Sequence, residues 1–500
     1  MQVKIQTEEL QNYLADSSNM PGGHAERLVV PETADEVASI LREASDAGTP
    51  VTVSGARTGT VGGALPFGGV VLSMERLNKI KSIDKIAMTA VVEPGVLLGE
   101  LQKAVEAEGL FYPPDPTEWS CQIGGNAATN ASGARSFKYG ATREYINGMT
   151  VVLADGDVLR LRRGEGFSNA DGTIDLTTAT GKTITAKVPT YPRPDVRKNV
   201  SGYFNEQPLD AIDPFIGSEG TLGVITELEL KLLPNPEGFF SGIAFFAKHE
   251  DLAAFVDEAR QRSFQSRLQP PATAVGSDLN ATLLEYFDDR SLAFIREKFP
   301  ETPDGMAGAV FFEQETTAGT EDTLFEVWNA LLDKHNADVD RSWFTTTEQD
   351  REKMRAFRHA LPLAANERYT RYKQKKVSTD MAVPVAEFAG FLRFQKEMLE
   401  RSGIEYIIFG HIGDCHLHVN LFPKDDDEAL RARHIYGRFI AHAIMIGGCV
   451  SAEHGIGKLK SKYLYVAMGE RYLNEMAELK RAFDPKGILG RGNMFDEKYI

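Results

Sequence analysis

Three glycine-rich loops in the N-terminal half of this 500-residue chain constrain its fold more than any other feature. They read Ser54-Gly-Ala-Arg-Thr-Gly-Thr-Val-Gly-Gly, Ile123-Gly-Gly-Asn-Ala-Ala-Thr-Asn-Ala-Ser-Gly-Ala-Arg and Ile216-Gly-Ser-Glu-Gly-Thr-Leu-Gly-Val-Ile. Clustered glycines let backbone N–H groups converge on an anion, because no Cβ blocks the approach and positive φ is permitted. One such loop is most often a tight turn. Three together, each with small hydroxyl or amide side chains, suit a dinucleotide pyrophosphate. The nicotinamide fingerprint is missing, since no G-x-G-x-x-G opens a helix with an acidic residue about 20 positions later. The Walker pattern is missing too.

The glycine loops alternate with β-branched runs at Val51, Thr89, Met149 and Val224, and with helical patterns from Thr33 to Ala47 and Leu98 to Glu108. The polar stretch from Gly166 to Lys187 reads as a surface hairpin. After Pro234 the pattern changes. Strands at Gly242, Ala309 and Tyr406 interleave with helices at Glu250–Arg262, Glu321–His335 and Glu387–Ser402, which predicts a sheet with helices on one face. Lys458 to Ile500 reads as mostly helical.

Composition narrows the function. A net charge of −16 argues against nucleic acid, though a small acid needs only a local positive pocket. No apolar run approaches the roughly 20 residues of a membrane-spanning helix, and the first residues lack the features of a signal peptide. The expectation is a cytoplasmic protein, with peripheral membrane contact left open. Three cysteines, Cys121, Cys415 and Cys449, offer no disulfide framework and too few thiolates for an iron–sulfur cluster.

A second concentration of chemistry lies near the C-terminus. Gly410-His411-Ile-Gly-Asp-Cys-His416-Leu-His418-Val-Asn420 reads as strand, turn and strand, with His416, His418 and Asn420 on one face. A lone polar strand face is normally just solvated. Here Ser451-Ala-Glu453-His454-Gly-Ile-Gly adds a carboxylate and another imidazole, and together they make a divalent-metal set of the zinc or manganese type.

The loops, with Val92-Glu-Pro-Gly-Val and Pro113-Pro-Asp-Pro between the first two, resemble the FAD domain of the vanillyl-alcohol oxidase and p-cresol methylhydroxylase superfamily. The combination GHIGDCHLHVN, EHGIG and FDPKGIL is similar to the D-lactate, D-2-hydroxyglutarate and glycolate dehydrogenases within it. The resemblance spans essentially the whole chain. It implies an α+β fold: a two-subdomain FAD domain over 21–235, an α+β cap over 236–455, and a C-terminal helical segment over 456–500 returning to the FAD domain. It implies FAD held by Arg57, Thr58, Gly59, Thr60, Val61, Gly62, Gly63, Pro114, Asp115, Gly124, Gly125, Asn126, Thr129, Gly133, Glu219, Gly220, Thr221, Gly223, Val224 and Ile225. The binding is expected to be noncovalent, because the first loop lacks the attaching His.

By matched position, the resemblance implies His411, His418 and Glu453 as metal ligands and His454 as catalytic base, while Cys415-His416 departs from the common Gly-Asn and adds a fourth candidate ligand. Arg358 and Lys376 fall where the family grips the substrate carboxylate. A guanidinium suits that task through bidentate pairing. The implied reaction is oxidation of a small D-2-hydroxy acid. Electrons would leave to a separate acceptor, whether an iron–sulfur protein, an electron-transfer flavoprotein or a quinone, and the chain as a homodimer is compatible with this. Two rival readings remain at this point: other superfamily chemistry, such as an alkyl-glycerone-phosphate synthase, and a non-catalytic flavin subunit.

Overall fold

The computed structural model describes residues 1–268 and 278–500. The first sheet has the order Gln2–Lys4, Arg27–Val30, Val70–Ser73, Val51–Ser54, with the last three parallel. Helix Ala34–Ala47 packs on it. Thr33 caps its start by accepting from the Glu36 amide, and Gly48 ends it with φ of 66°. Val37, Ile40, Leu41 and Ala44 recur at helical spacing and bury against Val51, Val70 and Leu72.

The second sheet is antiparallel, in the order Ile80–Asp84, Thr89–Val92, Val224–Lys231, Ile146–Val152, Val158–Arg162. The three glycine loops meet where these two sheets adjoin. The first leaves the end of Val51–Ser54, the second forms helix Ile123–Thr129, and the third leads into Val224–Lys231. The Gly217 and Glu219 amides donate to the carbonyls of Ala127 and Ala128, at 2.9 and 2.8 Å, which joins the third loop to the second. The expected surface hairpin is present as Thr173–Thr177 against Thr183–Lys187.

The third sheet runs Trp343–Thr345, Gly238–Phe246, Gly308–Thr316, Ala281–Asp288, Glu405–Gly410, His416–Phe422, Val377–Ser378, and Met381–Ala382 also pairs with His416–Phe422. Helices cover both of its faces, not one. Phe240, Ala244 and Phe312 pack with Phe255 and Trp328 of helices His249–Arg267 and Glu321–Lys334. Ile243, Phe245 and Phe311 point the other way, into a core with Phe357 and Leu361 of helix Glu348–Tyr372. Alternating side chains of the same strands therefore fill two separate cores, which explains why strands such as Ala281–Asp288 are buried throughout.

The C-terminal helix Ser461–Phe483 ends earlier than the helical reading of Lys458 to Ile500. Gly487, Gly490 and Gly492 all take positive φ, and Asp484 accepts from the amides of Ile488 and Leu489, so the chain turns instead of coiling. It returns to the first sheet, where Leu489 bridges Val51 and Ile488 joins the core around Val70. Asn493 donates to the carbonyls of Gly63 and Glu219, clasping two glycine loops at once.

Candidate active site

The glycine loops enclose a cavity lined by Arg57, Thr58, Gly59, Val61, Gly63, Gly124, Gly125, Asn126, Thr129, Glu219, Gly220, Gly223, Val224 and Ile225 from the expected set. Ala56, Gln122 and Ser218 also line it, and so does His454 from the opposite end of the sequence. Two features fit a bound nucleotide. A Cβ built on Gly59 or Gly125 meets no protein atom within 4 Å, so both backbones face open space. Buried Gln122 Oε1 and Asn126 Nδ2 have no hydrogen-bond partner among the described residues. Unpaired polar groups of this kind are costly unless a ligand completes them.

Thr60, Gly62, Pro114, Asp115, Gly133 and Thr221 do not line the cavity. Some hold the loops instead. A Cβ on Gly133 would fall 1.9 Å from the Asp115 carbonyl oxygen, and Thr221 Oγ1 donates to the Ser218 carbonyl. Glu219 lines the cavity but spends both carboxylate oxygens on the amides of Ile456 and Gly457. Those bonds, with the Lys458 amide on the Val61 carbonyl, lay the Glu453–Lys458 strap across the first loop.

The neighbouring glycines Gly124 and Gly125 give a paired prediction. A Cβ on Gly124 lies 2.4 Å from Pro94 Cβ, so Gly124→Ala should cost about 1–3 kcal/mol of stability through overpacking. Gly125→Val should leave the fold intact and fill the cavity, so the purified protein should lack flavin. Thermal melts and flavin content of the two variants check this.

The second half of the site stands on the hairpin Glu405–Gly410 and His416–Phe422. Gly410 has φ of 127°, and a Cβ there would fall 2.9 Å from His418 Cδ2, so only glycine lets that ring lie flat against the turn. His411 Nε2 and His418 Nε2 lie 3.1 and 3.2 Å from the same atom, Glu453 Oε1. Their other nitrogens are occupied: His411 Nδ1 by Glu285 at 2.5 Å, and His418 Nδ1 by the Thr379 carbonyl at 3.1 Å. The Thr379 carbonyl requires a proton on Nδ1, which leaves His418 Nε2, when neutral, with a lone pair facing a carboxylate.

These groups could hold a cation between them. Donors bound to one ion at about 2.0–2.2 Å lie roughly 3–3.5 Å apart, as these do, and the partners on Nδ1 are the outer contacts that usually orient metal-bound imidazoles. The other oxygen, Glu453 Oε2, accepts from Lys198 at 3.0 Å and Ser132 at 3.1 Å. His416 is buried, with Nδ1 4.0 Å from Glu453 Oε2 and Nε2 3.1 Å from Asp380 Oδ1. Neither nitrogen makes a well-directed hydrogen bond among the described residues. Burial pushes this imidazole down to about 4.

Asp380 organises the turn that carries Glu453 and His454. It accepts from both of their amides at 3.2 and 3.1 Å, from Ser451 Oγ and from Lys460 Nζ, each at 2.5 Å. Removing one partner of such a buried pair typically costs about 3–5 kcal/mol. His454 stacks on His418 with ring centroids 5.2 Å apart, its Nδ1 3.5 Å from Asp380 and its Nε2 3.8 Å from Glu453 Oε1. Burial lowers this imidazole's pKa while the facing Asp380 pulls it up.

Arg358 is not free to grip a substrate with its whole fork. Its Nε donates to Glu285 at 2.8 Å, the carboxylate that also holds His411, while Nη1 is buried and unpaired among the described residues. Burial alone would raise Glu285, yet His411 and Arg358 outweigh it and hold the group at about 2. Lys376 lines neither this cavity nor the cleft beside Arg358. Burial lowers its pKa, and among the described residues no carboxylate acts against that. Nothing local in the sequence marks Glu285, Asp380, Lys198 or Ser132 as part of this site. Isolated charged or polar residues in apolar or loop sequence carry no local signal of what they will touch.

The glycine-lined cavity and two family matches together define the class, an FAD-linked oxidoreductase. Residues 25–162 match the FAD binding domain family, and residues 259–494 match the C-terminal domain of FAD linked oxidases. A D-lactate dehydrogenase of Anaerostipes hadrus is 32% identical over 94% of this chain and 89% of its own. A glycolate oxidase subunit of Bacillus subtilis is 30% identical, over 97% and 92%. A D-2-hydroxyglutarate dehydrogenase of Xanthomonas citri is 28% identical, over 99% and 94%. Among solved structures, the 4-ethylphenol oxidase of Gulosibacter chungangensis shares the fold with a TM-score of 0.69 at 20% identity, covering 100% of this chain and 95% of that one. The chain belongs to the family of FAD-linked oxidases that these relatives represent. Among the described residues, no helix is long and apolar enough to cross a membrane.

Proposed function

We propose that this protein oxidises a small D-2-hydroxy acid to the 2-oxo acid, using noncovalent FAD and one divalent cation, zinc or manganese, at His411, His418 and Glu453. One observation carries the reading. His454 lines the flavin cavity, and its Nε2 lies 3.8 Å from Glu453 Oε1, the oxygen that both cluster imidazoles face. The nucleotide cavity and the metal-type cluster are therefore two walls of one site.

When bound, FAD supplies the two-electron acceptor and a divalent cation supplies the Lewis acid that acidifies the substrate hydroxyl. The protein's own groups do the rest. Arg358 Nη1, unpaired and buried, offers a charge-assisted donor to the substrate carboxylate, with Glu285 fixing the guanidinium plane. His454, with Nδ1 3.5 Å from Asp380, takes the hydroxyl proton at Nε2. Lys198, Ser132 and the Asp380 contacts orient Glu453. The names of the relatives support the substrate class, and their spread across lactate, glycolate and 2-hydroxyglutarate leaves the side chain to experiment.

A panel of D- and L-2-hydroxy acids with an artificial dye acceptor tests the proposal. The expected result is dye reduction by at least one D-acid and none by its L-isomer. Equal turnover of both isomers would contradict a site that fixes the hydroxyl and carboxylate together.

A further inference from the structure

Three helices meet at the surface: Val385–Ser402, Asp426–Met445 and the start of Ser461–Phe483. Between them runs an open groove of about 1060 Å³. Its floor is apolar, formed by half-buried Phe394, Met398 and Tyr463 and buried Ile435, and Leu430 stands at the rim with 63% of its surface exposed. Its walls carry five cations, Arg401, Arg431, Arg433, Arg438 and Lys462, against a single carboxylate, Glu397.

The chain as a whole carries a net −16, so a groove with five cations and one carboxylate departs from its average. Glu397 pairs with Arg401, and Arg431 is satisfied by Asp427 on its own helix. Arg433, Arg438 and Lys462 are exposed and form no ion pair among the described residues. A solvated helix face in an acidic protein ordinarily mixes both signs. Here three unpaired cations flank a continuous apolar floor, which is the complement of an acidic amphipathic helix. A membrane surface fits less well, because interfacial helices bury a protruding apolar face and this one is recessed.

We propose that this groove docks an acidic amphipathic helix of a partner protein. The proposal stands independently of the flavin chemistry. The probe is a fluorescent acidic helical peptide of about 18 residues, with leucines on one face and glutamates on the other, titrated into the flavin-loaded full chain and followed by anisotropy. The expected result is saturable binding that weakens roughly tenfold or more in high salt and in Arg433→Glu/Arg438→Glu/Lys462→Glu. Circular dichroism checks that this surface variant stays folded, and Arg433→Lys/Arg438→Lys should keep the binding. No binding to the native chain, or binding unchanged in the charge-reversed variant, would overturn the proposal. So would capture by phosphatidylglycerol vesicles without peptide binding, or self-association of the chain that the same variant abolishes, since each assigns the groove another occupant.

Discussion

Replacing His454 with glutamine lowers the rate of flavin reduction by about 10²–10⁴-fold, the usual contribution of a positioned base, while FAD and metal stay bound. The geometry explains both halves of this expectation. His454 Nε2 faces the Glu453 oxygen at 3.8 Å, beyond hydrogen-bond reach but next to the place where a substrate hydroxyl would sit. It is not among the donors that cluster around Glu453 Oε1 at 3.1 and 3.2 Å, so its loss leaves those intact. Glutamine keeps the bulk of the side chain and lacks a basic nitrogen. Stopped-flow reduction, with metal and flavin content measured on the same samples, checks the prediction. A variant that loses metal and recovers its rate in excess metal would exchange the roles of His454 and Glu453.

Chelation should abolish substrate oxidation with the flavin still bound, and Glu453→Gln should do the same without a chelator. The nucleotide cavity is lined mainly by the glycine loops, two of which Asn493 clasps, and neither His411 nor His418 lines it. The cluster does depend on charge at its centre. Glu453 meets Lys198, His411 and His416, which together hold its carboxyl well below the usual range despite burial. Removing that charge leaves Lys198 with Asp414 at 3.6 Å as its remaining carboxylate and takes the carboxylate out of the His411, His416, His418 and Glu453 donor set. Elemental analysis and dye-coupled assays before and after divalent-metal repletion check this. Full activity in metal-free native protein would reduce the cluster to structural histidines.

The parts of this site that were legible in sequence are those built by local rules. Glycine loops after β-branched runs marked the cavity, and the period of two along His416-Leu-His418 set which side chains share a face. Long-range partners were not legible. Glu285 lies 126 residues from His411, in a strand buried on both faces whose sequence shows no alternation. Asp380 lies 73 residues before the Glu453 amide it holds. Helix Glu348–Tyr372 contains Pro362, which removes a backbone donor in mid-helix and disguises the 25-residue element that carries Arg358. The second layer of helices on the cap sheet is illegible for the same reason: a strand that feeds two cores has no polar face to announce it.

The most direct test of the account is anaerobic mixing of the flavin- and metal-loaded chain with D-lactate, D-2-hydroxyglutarate or glycolate, following the visible flavin absorbance without any added acceptor. The account predicts bleaching by at least one of these acids, none by the L-isomer of the chiral acid that works, and none by any of them after metal removal. Flavin that stays oxidised with all three acids in the metal-loaded protein would contradict it.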